Sequence, residues 1–202
     1  YLFMFNIKNA FRFFFSFLIV AGCSSQPEKV ATTVADTQKA GVKKPVAAKS
    51  MNDAAGILLK KEVPVLCYHH IKDFKGGESD YIKDYTVTPG AFADQMKTLA
   101  DSGFQTILPD QLYEYLLYNG PLPAKPVMLT FDDTDEEQYS IGAKEMDKYG
   151  FKGVFFIMTV AINRPRYMSR DNIKNLSDSG HIIAAHTWDH HRVTKYSGDD
   201  WN

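Results

Sequence analysis

Four short, almost wholly apolar runs, at residues 63–68, 127–131, 153–158 and 182–185, limit what this chain can fold into. Each has strand length, and each lacks the polar alternation of a strand with one wet face, so both faces must be covered. The stretches between them carry helix signals. Thr88-Pro89 offers an N-cap followed by proline at the first helical position, and Phe92, Met96 and Leu99 then repeat on one face before Gly103. Residues 109–118 and 136–149 suit two more helices, Ser169 caps another over Ile173 and Leu176, and residues 104–108 suit a further short strand. Strands alternating with helices predict an α/β fold with a mainly parallel sheet or barrel. In such folds the chemistry gathers at the carboxyl ends of the strands.

Polar clusters follow three of the apolar runs: His69-His70, Asp132-Asp133, and His186-Thr187-Trp188-Asp189-His190-His191. Two adjacent carboxylates at a strand end repel one another and resist desolvation. Alone they fit a solvated turn as well as a metal site with a spare carboxylate, and a lone histidine pair fits surface or core filler. His186 and His190 are four apart, which on one helical turn would set both imidazoles on the same side. Two imidazoles and one carboxylate make a three-ligand site with a coordination position left open, the pattern of catalytic zinc. The second carboxylate is then free to act as a base.

With 202 residues and 45% hydrophobic content the chain can bury one ordinary core, and a formal net charge of −1 gives no sign of a nucleic-acid partner. The first residues stand apart. Lys8 and Arg12 precede an apolar run at 13–20, which leads into Val20-Ala21-Gly22-Cys23. That is a secretory signal ending in a bacterial lipobox-like sequence, so residues 1–22 are expected to be a lipoprotein signal peptide and Cys23 a lipid attachment point. Residues 23–61, without an aromatic side chain, are expected to be a flexible tether from a membrane anchor, and 62–202 the folded domain. The expected location is a bacterial cell envelope, facing the periplasm or the outer surface. Cys67, inside an apolar run, is expected to be a small buried hydrophobe.

Thr130-Phe131-Asp132-Asp133 and His186-Thr187-Trp188-Asp189-His190 resemble the first two motifs of the polysaccharide deacetylases, carbohydrate esterase family 4 with its NodB homology domain. Tyr68-His69-His70-Ile71 and Leu122-Pro123-Ala124-Lys125-Pro126 resemble the segments that precede the first motif. The resemblance implies a distorted (β/α) barrel, incomplete in this chain, and metal-dependent hydrolysis of N-acetyl groups on an amino-sugar polysaccharide such as poly-N-acetylglucosamine, a chitin-like polymer or peptidoglycan glycan. It implies Asp132 as general base and Asp133, His186 and His190 as ligands of a divalent metal, zinc foremost, with cobalt, nickel or iron(II) also suited to the donor set. His69 and Thr187 are candidates for the substrate pocket. Two other readings stand beside it: a catalytically incomplete glycan-binding lipoprotein, and an O-acetyl (xylan-type) esterase of the same family.

Several positions depart from the family pattern. Thr134 replaces a usual glycine, Ile182 and Ala184 replace a usual Glu and Gly, and His191 beside His190 offers a second candidate ligand. The family's base-orienting arginine and general-acid histidine lie after the second motif, where this sequence stops at Asn202, so the chain is expected to be a fragment of a longer reading frame.

Overall fold

The computed structural model describes residues 49–201. The expected signal peptide, Cys23 and the tether as far as residue 48 lie outside the described residues. The remainder of the expected tether is folded onto the domain. Asn52 donates its backbone N–H to the Leu117 carbonyl (2.7 Å) and its amide Nδ2 to the Leu116 carbonyl (2.8 Å). A short helix, α1 (Ala54–Leu58), follows, capped by the Asp53 carboxylate. The folded part therefore begins before residue 62.

Strand β1 (Val65–Tyr68) runs into β2 (His70–Ile71); α2 (Asp80–Asp84) leads to β3 (Thr86–Val87), which pairs with β2 in a separate two-stranded sheet. Helix α3 (Pro89–Asp101) starts as the sequence predicts, with Thr88 Oγ1 accepting the Ala91 N–H, and it buries Phe92 and Met96. Then come β4 (Gln105–Thr106), α4 (Pro109–Tyr118), and β5 (Pro126–Phe131), all six residues of which are buried. Beyond β5 the expected helix over 136–149 divides into a π-helical turn, Gln138–Ala143, and a short α5 (Lys144–Asp147). Strand β6 (Val154–Ile157), α6 (Arg170–Asp178), capped by Ser169, and β7 (Ile182–Ala185) follow.

Every pairing between these strands is parallel. The main sheet has the order β1-β5-β6-β7, with β4 alongside the start of β5. This is the α/β fold the alternation predicts; the sheet does not close into a barrel among the described residues. The larger core cluster is the one in which Phe131 stacks on Phe155 (centroids 4.6 Å apart) and on Tyr68 (5.5 Å), with Phe92 edge-on to Tyr68, and a smaller one gathers Ile107, Met128 and Val154. Burying each such ring contributes roughly 1.5–3 kcal/mol. Among the described residues β1 has only β5 beside it, and its burial alternates, so Cys67 is exposed rather than the buried hydrophobe expected.

Candidate metal and acid-base site

The three polar clusters meet at the carboxyl edge of the sheet because the strand ladders continue one residue past the strands. The Asp132 N–H donates to the Tyr68 carbonyl (2.9 Å), setting Asp132 beside His69, and the His186 N–H donates to the Ile157 carbonyl (2.9 Å). After Asp132 the backbone turns left-handed twice, at Asp133 (φ 77°) and Thr134 (φ 68°). Non-glycine residues adopt that conformation at a cost, and the neighbours hold it here. Thr134 is fully buried; its Oγ1 accepts the Met158 N–H (2.7 Å) and its carbonyl accepts the Met168 N–H (3.0 Å). The position where the family carries glycine thus ties the turn after β5 to the segment after β6.

That turn splits the two carboxylates. Asp133 Oδ1 lies 3.2 Å from His186 Nε2 and 3.8 Å from His190 Nε2, and the two imidazole centroids are 4.7 Å apart. One ligand atom from each of the three residues falls within 4.8 Å of the others. Asp133 Oδ1 and His186 Nε2 are both buried without a hydrogen-bond partner. Buried polar atoms left unpaired are costly, and a cation between them removes that cost, so the donors present fit a divalent metal.

The expected helical turn over His186–His190 is not formed. The segment is a loop with left-handed backbone at Thr187 (φ 62°) and His190 (φ 60°). Thr187 shapes it, since its Oγ1 accepts the His190 N–H (3.0 Å), and the Val160 N–H donates to the Trp188 carbonyl (3.0 Å). His190 joins the cluster, whereas His191 packs its ring against Tyr196.

Asp132 faces the opposite side of the turn. His69 Nε2 lies 3.9 Å from Asp132 Oδ2, and Tyr85 packs edge-on against the His69 ring. Gln138, fully buried, donates its Nε2 to the carbonyls of His69 (2.7 Å) and Asp132, clamping the two strand ends together. A further group, His70, Asp135 and Glu137, supports the turn from behind: His70 Nδ1 lies 2.9 Å from Asp135 Oδ2 and 3.8 Å from Glu137 Oε1. Hydrogen bonding to Asp135, then to Glu137, raises the His70 pKa to about 9, so the imidazole is charged at neutral pH. Neither Gln138 nor the His70 group is singled out by the sequence reading. The acidic run 135–137 next to the first motif is a signal for the second; nothing local marks Gln138.

A parallel α/β sheet with carboxylates and imidazoles at its carboxyl edge defines a class of protein in which the strand ends hold the chemistry. The polysaccharide deacetylase family matches residues 119–201 of this chain, so both motifs fall within the matched span. Bacillus subtilis YxkH, named as a polysaccharide deacetylase, is 28% identical over 180 residues, 87% of this chain and 62% of that protein. The peptidoglycan-N-acetylglucosamine deacetylase of Bacillus cereus is 27% identical over 127 residues, 60% of this chain and 44% of its own length. The crystal structure of the Bacillus anthracis polysaccharide deacetylase BA0330 superposes with a TM-score of 0.59 at 26% identity, covering 68% of this chain and 43% of the other. The motif resemblance is thus borne out: residues 119–201 carry the polysaccharide deacetylase signature on a fold of that type. The chain spans about three fifths of the length of the first of these relatives and less than half of the others.

Proposed function

We propose that this chain belongs to a hydrolase that removes N-acetyl groups from an amino-sugar polysaccharide, with Asp133, His186 and His190 holding a divalent metal, zinc foremost, and Asp132 serving as general base. One observation carries the reading: a buried carboxylate oxygen and a buried imidazole nitrogen face each other at 3.2 Å with no hydrogen-bond partner, and a second imidazole closes the triangle. A divalent cation there supplies Lewis acidity and lowers the pKa of coordinated water. The protein's own contribution is positional. The double left-handed turn sends Asp133 to the imidazoles and leaves Asp132 uncommitted, its oxygens available to take a proton as water attacks an acetyl carbonyl. Gln138 and the β1 ladder fix Asp132 against the strand end, which keeps the base in reach without flexible segments. In the same reading His69 and Thr187 are the side chains assigned to the substrate pocket.

The names of the two curated relatives support glycan deacetylation as the reaction class. Attachment to the cell envelope through a lipid on Cys23 belongs to the same proposal; incorporation of labelled fatty acid that persists in Cys23→Ala refutes it.

The test is acetate release from an N-acetylglucosamine oligomer, with metal content measured in parallel. Asp132→Asn retains the metal and loses about 10²–10⁴-fold in rate. Asp133→Ala and His186→Ala lose both metal and activity. Hydrolysis undiminished in Asp132→Asn removes that residue from the role of base, and metal content unchanged in His186→Ala removes the ligand assignment.

A further inference from the structure

We propose that Cys67, His69 and Asp132 form a second cation site, suited to a thiophilic divalent ion, directly beside the site formed by Asp133, His186 and His190. The placement follows from strand geometry. Successive extended residues point to opposite faces, so Cys67 in β1 and His69, the first residue past its end, share a face. Cys67 pairs in register with Thr130, and the ladder continues through the Asp132 N–H to the Tyr68 carbonyl. Asp132, two residues beyond Thr130, therefore stands next to His69 on that same face. One ligand atom from each of the three, a thiol sulfur, an imidazole nitrogen and a carboxylate oxygen, falls within 4.8 Å of the others.

The group is open to ions, because Cys67 is exposed and Cys67 and His69 border a cavity of about 190 Å³ also lined by Asp84 and Tyr85. Its electrostatics favour a cation. The Cys67 thiol is held above its usual pKa, first by partial desolvation of the sulfur and then, against a bond with Thr130 that lowers it, by the charge of Asp132 and Asp133. The smaller part of that shift, the negative charge of Asp132 and Asp133, also draws a metal ion, which binds thiolate and sends the proton to solvent. The same raised pKa argues against Cys67 as a nucleophile. Sulfur is what separates this group from its neighbour: the N,N,O set of the first site takes many divalent ions, while a thiolate selects zinc, cadmium and other soft ions.

Occupancy has a consequence that rests on the proposed role of Asp132. A cation on Cys67 and His69 ties up the Asp132 carboxylate, so the first metal equivalent activates and the second inhibits.

Cadmium is the probe, read by the ultraviolet sulfur-to-cadmium charge-transfer band and by the rate of thiol labelling, on the full chain. In His186→Ala, which lacks the first site, the band persists and the ion protects Cys67 from labelling. Cys67→Ser loses the band and one equivalent of bound metal, and His69→Ala weakens this equivalent at least about tenfold. A band that survives unchanged in Cys67→Ser comes from Cys23 and overturns the site, as does a thiol labelled equally fast with and without metal. Acetate release against added zinc rises and then falls in the wild type, and in Cys67→Ser it keeps the rise without the fall. Binding at Cys67 without inhibition supports the site and overturns the role of Asp132 instead.

Discussion

Replacing Thr134 by the glycine usual in the family is expected to destabilise this chain, although it relieves a left-handed backbone at φ 68°. Holding a side chain in the left-handed region costs about 1–2 kcal/mol, which glycine recovers. Against that stand three losses. The buried Met158 N–H loses its acceptor, Thr134 Oγ1 at 2.7 Å, for about 1–3 kcal/mol. The fully buried Thr134 methyl is removed, for about 0.8 kcal/mol, and the more flexible unfolded chain adds about 0.4–1 kcal/mol. The losses win by about 2 kcal/mol, which for a domain of this size lowers the melting temperature by about 4–8 °C. Thr134→Val keeps shape and strain but loses the acceptor, and it falls by a similar amount, whereas Thr134→Ser keeps the bond and stays within about 1 kcal/mol of the wild type. Urea unfolding of the four proteins gives the order directly. A Thr134→Gly protein more stable than the wild type, or a Thr134→Val protein equal to it, would refute the claim that this hydroxyl holds the turn.

Stability is expected to peak near pH 6.5 through two histidines of opposite sign. The folded pKa of His70, raised to about 9, gives stabilisation that is complete below about 6.5 and lost as pH rises through 9, and His70→Gln flattens that alkaline limb in urea unfolding. Buried His181 accepts the Gly153 N–H, and burial lowers its pKa to about 4, so stability falls as pH drops from 6.5 toward 4, a limb that His181→Gln removes. Gly153→Ala places a Cβ 3.0 Å from the Leu129 carbonyl oxygen and 3.1 Å from Phe131 Cε2, with strand backbone unable to yield; thermal melting should show a loss of about 1–3 kcal/mol. Chelation is expected to lower the melting temperature of the metal-loaded wild type and leave that of His186→Ala unmoved; equal shifts in both would detach the metal from the Asp133 cluster.

The main sheet was legible because its signals are local and repeated. Runs buried on both faces, Thr88-Pro89, Ser169 and the closing glycines mark β5, β6, β7, α3 and α6 within a residue or two. What escaped is made by long-range pairing. β2 and β3 have two residues each, too few to show a period, and they exist because the chain returns through α2 to lay Thr86-Val87 beside His70-Ile71. The π-helical turn was read as plain helix because its departure comes from packing: Gly142 passes so close to the Ile71 side chain that a Cβ there would stand 2.8 Å from Ile71 Cδ1. Cys67 was misplaced because an apolar run does not reveal whether its strand lies inside the sheet or at the edge.

In the candidate site, which residues gather is legible in the sequence and how they gather is not. A four-residue helical spacing is expected to bring His190 to His186, yet it joins Asp133 and His186 through two left-handed residues and a bond from its own N–H to Thr187. The Asp132-Asp133 pair shows the same separation of identity from cause. Side chains at successive positions of a continued strand would diverge to opposite faces, so the parting of two like charges is what β geometry provides at no cost. What β geometry does not provide is a route for Asp133 back to His186 and His190. The paired left-handed turns at Asp133 and Thr134 supply it, held by Met158, Met168 and the clamp of Gln138. Two carboxylates one residue apart consequently face separate clusters, one with two imidazoles and one with an imidazole and a thiol, and that division is what the proposed roles of cation holder and proton acceptor require.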